Sequence, residues 1–158
     1  MKKIFIASPL GFAESTRLFL PRLSETLQRL GYDPVDPWSL SADLESELRA
    51  ANALEDRAER EASLHRLALA MAERNAAHLR TSDGVLAVLD GSDVDSGTAS
   101  EIGYAFGLGG KVIHGYRGDF RRAGEHDGVQ VNLQVQYWIE MSGGRIIHSL
   151  NEVADLTF

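Results

Sequence analysis

Asp83-Gly84-Val85-Leu86-Ala87-Val88-Leu89 runs directly into Asp90-Gly91-Ser92-Asp93-Val94-Asp95-Ser96-Gly97-Thr98-Ala99-Ser100-Glu101-Ile102-Gly103-Tyr104-Ala105. Val85 to Leu89 is an unbroken apolar run, the pattern of a central parallel strand covered on both faces. The turn at 90–97 is rich in Gly and Asp, and a helix is predicted from Thr98 to about Leu108. A buried strand, a short polar turn and a helix form half of a βαβ unit.

Downstream, Lys111 to His114 reads as the next strand, and a polar loop of about fifteen residues, 115–130, precedes a helix near 132–141. Arg145 to His148 is a fifth strand, followed by a short tail. Upstream, residues 2–7 form a first strand ended by Ser8-Pro9. A helical pattern follows from about Glu14 to Leu30 and stops at Gly31; Pro21 inside it predicts a kink or a late helix start. Tyr32 to Val35 is a weak second strand, and Asp36-Pro37-Trp38 a loop. Residues 41–80 contain neither Gly nor Pro and predict two helices broken near 52–62, with Ser41 or Asp43 as a cap. Glu45–Arg49 and Asp56–Arg60 are spaced as helical ion pairs.

Strands alternating with helices predict an α/β fold. The expectation is one domain over 1–158, a flavodoxin-like three-layer sandwich with a five-stranded parallel sheet in the order 2-1-3-4-5. Ligands of such sheets bind beyond the carboxyl ends of the strands, where the strand order reverses. That edge holds the loops 8–12, 90–98 and 115–130.

Composition narrows the chemistry. The chain has no cysteine, which removes thiol catalysis and thiolate metal sites. With 23 acidic and 16 basic residues the net charge is −7, so a nucleic-acid partner is not expected. The one basic cluster, Arg117, Arg121 and Arg122, lies within a single loop and reads first as a solvated face. The apolar start breaks at Ser8-Pro9, too early for a signal peptide, and no later run spans a bilayer. A cytoplasmic location and no membrane contact are the expectation.

Asp90, Asp93 and Asp95 crowd the binding edge, and Glu101 falls in the first turn of the next helix. The positive end of a helix dipole favours an ionised carboxylate there, while the aspartates oppose it. An ionised glutamate on a rigid helix start is a competent nucleophile toward the anomeric carbon of a sugar. The plainer alternative is a capping box between Thr98 and Glu101. A calcium loop does not fit, since Gly97 falls where a ligand belongs; a divalent ion of another kind stays open. The histidines show no metal-ligand spacing and read as structural, with His114 at a strand end the mild exception.

Asp95-Ser-Gly97-Thr-Ala-Ser-Glu101-Ile-Gly103 resembles the hallmark of the nucleoside 2-deoxyribosyltransferase family. The likeness extends to Ile4-Phe5-Ile6-Ala7-Ser8-Pro9, to Asp83-Gly84 and to Val131-Asn132-Leu133, leaving out much of 41–70 and the tail. It implies Glu101 as the nucleophile of a covalent deoxyribosyl intermediate and Asp95 as the residue binding the sugar 5′-hydroxyl. Asn132 matches an asparagine that a neighbouring subunit contributes to that hydroxyl, so a homo-oligomer, dimer or hexamer, is implied. Ser8, Gly97 and the apolar wall Leu10 and Phe12 complete the substrate contacts. No cofactor and no metal are implied.

Two positions depart from the family pattern. Many members carry a tyrosine where Phe5 stands, whose hydroxyl positions the glutamate, and an aspartate where Asn75 stands, which contacts the base. Asn75 lies on the apolar stripe of Leu64, Leu67, Ala68, Met71 and Ala72, where an unpartnered amide is costly. It contacts the base or is satisfied structurally. Trp38 covers the base or is a half-buried core residue.

The activity this predicts is transfer of 2-deoxyribose between purine or pyrimidine bases by double displacement with net retention. The partners are a nucleoside and a free nucleobase. The alternatives are hydrolysis of nucleosides or their 5′-monophosphates, and a nucleotide-binding module without turnover.

Overall fold

The computed structural model describes residues 1–40 and 42–158. β1 (Lys3–Ala7), β2 (Asp33–Val35), β3 (Gly84–Val88), β4 (Val112–Tyr116) and β5 (Ile146–Ile147) form one all-parallel sheet, in the order β2-β1-β3-β4-β5. This is the predicted order. Side chains alternate across the sheet and feed two separate cores. Ile4, Ile6, Leu86 and Val88 face one, with Leu20, Leu23 and Leu27 of a covering helix. Phe5, Ala7, Val85, Ala87 and Leu89 face the other, with Leu79, Ile102, Ala105, Val135 and Ile139. Because both faces are covered, β3 is buried along its whole length and shows no polar alternation.

Seven helices among the described residues connect the strands. α1 (Glu14–Arg17) and α2 (Phe19–Arg29) replace the single helix expected over 14–30. Pro21 falls in the first turn of α2, where a backbone N–H has no intrahelical partner, so the helix starts late around it. Pro37–Leu40 is a short helix, α3, and not the expected loop; the Asp36 carboxylate accepts the Trp38 N–H at 3.0 Å and starts it. α4 (Glu45–Asn52) and α5 (Arg57–Thr81) break at 53–56, inside the predicted window. α6 (Ser96–Leu108) and α7 (Leu133–Met141) complete the set.

Several local expectations are corrected. The proposed cap Ser41 lies outside the described residues. Asp43 caps nothing; it sits in a 3-10 turn, Ala42–Leu44, and pairs with Arg74 at 2.6 Å. Glu45–Arg49 forms an ion pair at 3.5 Å, but Asp56–Arg60 does not. Asp56 instead caps α5 by accepting the Glu59 N–H at 2.7 Å, and Arg60 turns back to the Leu54 carbonyl at 2.6 Å.

The tail is a structural element. Leu150–Asp155 forms a 3-10 helix whose Val153, with Leu156 and Phe158, enters the core beside α2. Phe158 packs edge-on to Tyr32 and His114, with ring centroids 5.2 Å and 4.9 Å away. Among the described residues no helix is long and apolar enough to cross a membrane.

Candidate active site

β1 and β3 are neighbours whose chains continue to opposite sides of the sheet, and a cavity of about 250 Å³ opens beyond their carboxyl ends. Ser8 comes from the turn after β1, Trp38 from α3, Asn75 from α5, and Asp95, Gly97 and Glu101 from the start of α6. Phe12, Pro37, Met71 and Thr98 complete the wall.

The α6 end of the cavity follows from one cap. Asp95 is extended at φ −53°, ψ 136°, and its Oδ2 accepts the Thr98 N–H at 3.0 Å and the Thr98 hydroxyl at 3.4 Å. Asp95, not Thr98, is therefore the N-cap, and the predicted capping box with Glu101 does not form. Ser96 being the first helical residue, Glu101 is the sixth, in the second turn and not the first. Asp95 Oδ1 has no protein donor among the described hydrogen bonds.

No described residue donates a hydrogen bond to Glu101, yet none of its oxygens is sealed from the surface. Its carboxyl is thus partly buried, unpartnered and open to the cavity. Burial pushes its pKa up to about 7, and the charge of Asp95 adds to the rise. The opposition expected from Asp95 acts here, and burial, which the sequence does not show, is the larger cause.

Another part of the wall is aromatic. Trp38 donates its Nε1–H to the Ser8 carbonyl at 2.9 Å, which fixes the indole against the first loop. A Cβ on Gly11 would meet the Trp38 ring at 2.0 Å, so only glycine allows this approach. Phe12 stands edge-on to Trp38, ring centroids 4.7 Å apart, and is 74% exposed. The Asn75 amide has no protein partner among the described hydrogen bonds and is half-buried at the cavity wall.

Seven of the ten residues singled out from sequence meet here: Ser8, Phe12, Trp38, Asn75, Asp95, Gly97 and Glu101. Three do not line the cavity. Phe5 is fully buried in the core that also holds Ile102. Leu10 packs on the opposite core. Asn132 caps α7, accepting the Gln134 and Val135 N–H groups at 3.1 and 3.4 Å, and donates to Glu125 at 2.7 Å. Pro37 and Thr98 were not foreseen as wall residues. Met71 was legible, because it stands one turn before Asn75 on one helical face.

The arginine loop does not reach this cavity. Arg121 and Arg122 pair with Asp119 and Asp127 beside a separate cavity, and both are exposed, as a solvated face requires. Arg117 departs from that expectation: it is 2% exposed. His114 is buried too, its Nε2 against the Thr157 carbonyl at 3.1 Å and its Nδ1 accepting the Arg145 N–H at 3.0 Å. Burial lowers its pKa, and its role is structural.

The five-stranded parallel sheet in the order β2-β1-β3-β4-β5, covered by helices on both faces, is the architecture of a flavodoxin-like α/β protein. Residues 4–134 match the family model described as nucleoside 2-deoxyribosyltransferase, and the chain belongs to that family. A conserved protein from Enterococcus faecalis V583 is 26% identical and superposes with a TM-score of 0.69, over 98% of this chain and 96% of that one. A 2-deoxyribosyltransferase from Bacillus psychrosaccharolyticus, 18% identical, gives a TM-score of 0.69 over 99% and 93%. The Clostridium botulinum CMP N-glycosidase, 15% identical, gives 0.56 over 98% and 96%. The last two share the fold. None of the curated proteins matches the chain. Membership of that family supports an enzyme of the nucleoside deoxyribosyltransferase type.

Proposed function

We propose that the chain transfers 2-deoxyribose from a nucleoside to a free nucleobase, with Glu101 as nucleophile. The observation that carries this reading is the presence of Glu101 and Asp95 on one cavity wall, Glu101 with no described protein donor and Asp95 with its Oδ1 free of one. Glu101 attacks C1′, the C1′–N bond breaks, and its electron pair leaves with the base, giving a glycosyl ester. A nitrogen of the second base then attacks C1′, the ester bond breaks, and the carboxylate is restored with net retention; the proton this nitrogen sheds balances the one taken up by the departed base. A deoxy sugar suits this path, since without a 2′-hydroxyl the oxocarbenium-like transition state is reached more easily. Asn75 cannot donate a proton as an acid at neutral pH; its amide offers the base a paired donor and acceptor.

The cavity wall bears two carboxylates and no cation among its described residues, which supports a neutral nucleoside over a 5′-monophosphate. Asp95 Oδ1 suits the 5′-hydroxyl. As a neighbour's contribution to that hydroxyl, Asn132 would exchange its Glu125 bond for the substrate while its Oδ1 keeps capping α7.

Incubation with deoxyinosine or thymidine, with and without a second base, tests the reading. A new nucleoside formed only with the acceptor, and abolished in Glu101→Ala with ligand binding retained, is expected. Release of free 2-deoxyribose at an unchanged rate in both reactions would make the protein a hydrolase. No reaction in either would overturn both.

A further inference from the structure

We infer that Arg117, outside the cavity, is a positioning residue that sets the loop delivering Asp95 and Glu101. Arg117 follows β4 directly and is 2% exposed, yet none of the ion pairs among the described residues includes it. Its guanidinium donates to three backbone carbonyls instead: Leu89, Gly91 at 3.1 Å and Arg121 at 2.7 Å. Leu89 ends the central apolar run, and Gly91 begins the loop into α6 at φ +130°, a bend open only to glycine.

The clamp is itself fixed. The Arg117 N–H donates to the Ile147 carbonyl at 2.8 Å, and its own carbonyl accepts His148 Nδ1–H at 2.9 Å. A second tie joins the same two loops: the Asp90 carboxylate accepts the Asp119 N–H at 2.8 Å.

A buried cation is costly unless it is compensated, and here three backbone carbonyls take three of its N–H groups while the Asp119 carboxylate lies close enough to feel its charge. A planar fork reaches three carbonyls on two loops at once; an ammonium has no such span. The loop so held has no regular structure between Leu89 and Asp95, so its course depends on such ties. At its far end stand the α6 cap and the unpartnered Glu101 carboxyl, which no direct hydrogen bond orients. The clamp supplies through the backbone the placement that the Glu101 side chain lacks.

This inference rests on Glu101 being the reacting group, and its test separates the two. In Arg117→Lys, kcat falls about 10- to 100-fold while KM changes far less, because misplacing the reacting atom by an ångström has that effect. Backbone amide exchange over residues 90–98 speeds up in the same variant, while the melting transition stays above the assay temperature. Asp90→Ala, at a partly exposed position, lowers kcat in the same direction by about three- to tenfold. Arg122→Ala leaves kcat unchanged, since its side chain pairs with Asp127 and takes part in neither tie. Folded Arg117→Lys with parental kcat and parental amide exchange overturns the clamp. Should Arg117→Lys fail to fold, parental kcat in Asp90→Ala overturns it equally. An inactive parent chain sinks the functional reading instead, and the exchange measurement still judges the clamp.

Discussion

Asp95 caps the helix that carries Glu101 and faces the same cavity, so one aspartate both places the glutamate and raises its proton affinity. Burial is the larger cause of the rise to about 7, and the Asp95 charge the smaller. Glu101 is thereby set apart from an ordinary carboxylate in proton affinity, as groups at functional sites often are.

In the proposed mechanism the rate of glycosyl transfer depends on ionised Glu101. Activity at subsaturating nucleoside should rise with pH through about 7 and level off above it. Asp95→Asn keeps a competent cap but removes the charge, so the rising limb should move to lower pH while KM for the nucleoside increases. A limb that stays in place in Asp95→Asn, measured by pH–rate profiles, refutes the coupling.

Glu101 also makes the fold pH-dependent. An acid whose folded pKa lies above its ordinary 4.5 stabilises the fold fully below 4.5, and that stability is lost as pH rises through about 7. The loss is on the order of 2 kcal/mol after allowance for partial exposure. Glu101→Gln should therefore unfold at higher denaturant than the parent at pH 8, and at nearly the same denaturant at pH 4. Equal midpoints at both pH values would show that the carboxyl is not held out of water.

Asn75→Ala removes the free amide from the wall. KM for the nucleoside should rise about tenfold with a smaller change in kcat, and the melting temperature should hold, because no protein group is left unpaired. Steady-state kinetics with calorimetric melting decide it. A drop in melting temperature with unchanged KM would make Asn75 structural.

Gly11→Ala forces a methyl onto the Trp38 ring at 2.0 Å. The indole must leave the Ser8 carbonyl, which costs about 1–3 kcal/mol of stability and opens the aromatic part of the cavity wall. Nucleoside affinity should fall at least tenfold, followed by calorimetry, with altered tryptophan emission. Parental affinity and emission would show that the wall does not depend on this contact.

The fold was readable because its signals are local and periodic. The apolar run 85–89, the Gly-free stretch 41–80 and the stop at Gly31 survived unchanged in meaning. Pro37–Leu40 was misread because its helix starts on a side-chain bond from Asp36, which a Pro-containing quartet does not advertise. The last residues carried Val153, Leu156 and Phe158 without a strand or long helix around them, so their place in the core was invisible.

At the site, residue types and spacing offered Glu101 as a candidate beside a capping-box alternative, and the resemblance of 95–103 to the family hallmark singled out Asp95 with it. Tertiary structure decided how those groups behave. Whether Glu101 is charged depends on how much water its neighbours exclude, and whether Arg117 is a surface residue or a clamp depends on where Leu89 and Gly91 lie in space. Both are set by contacts between segments far apart in the chain, which no local pattern encodes.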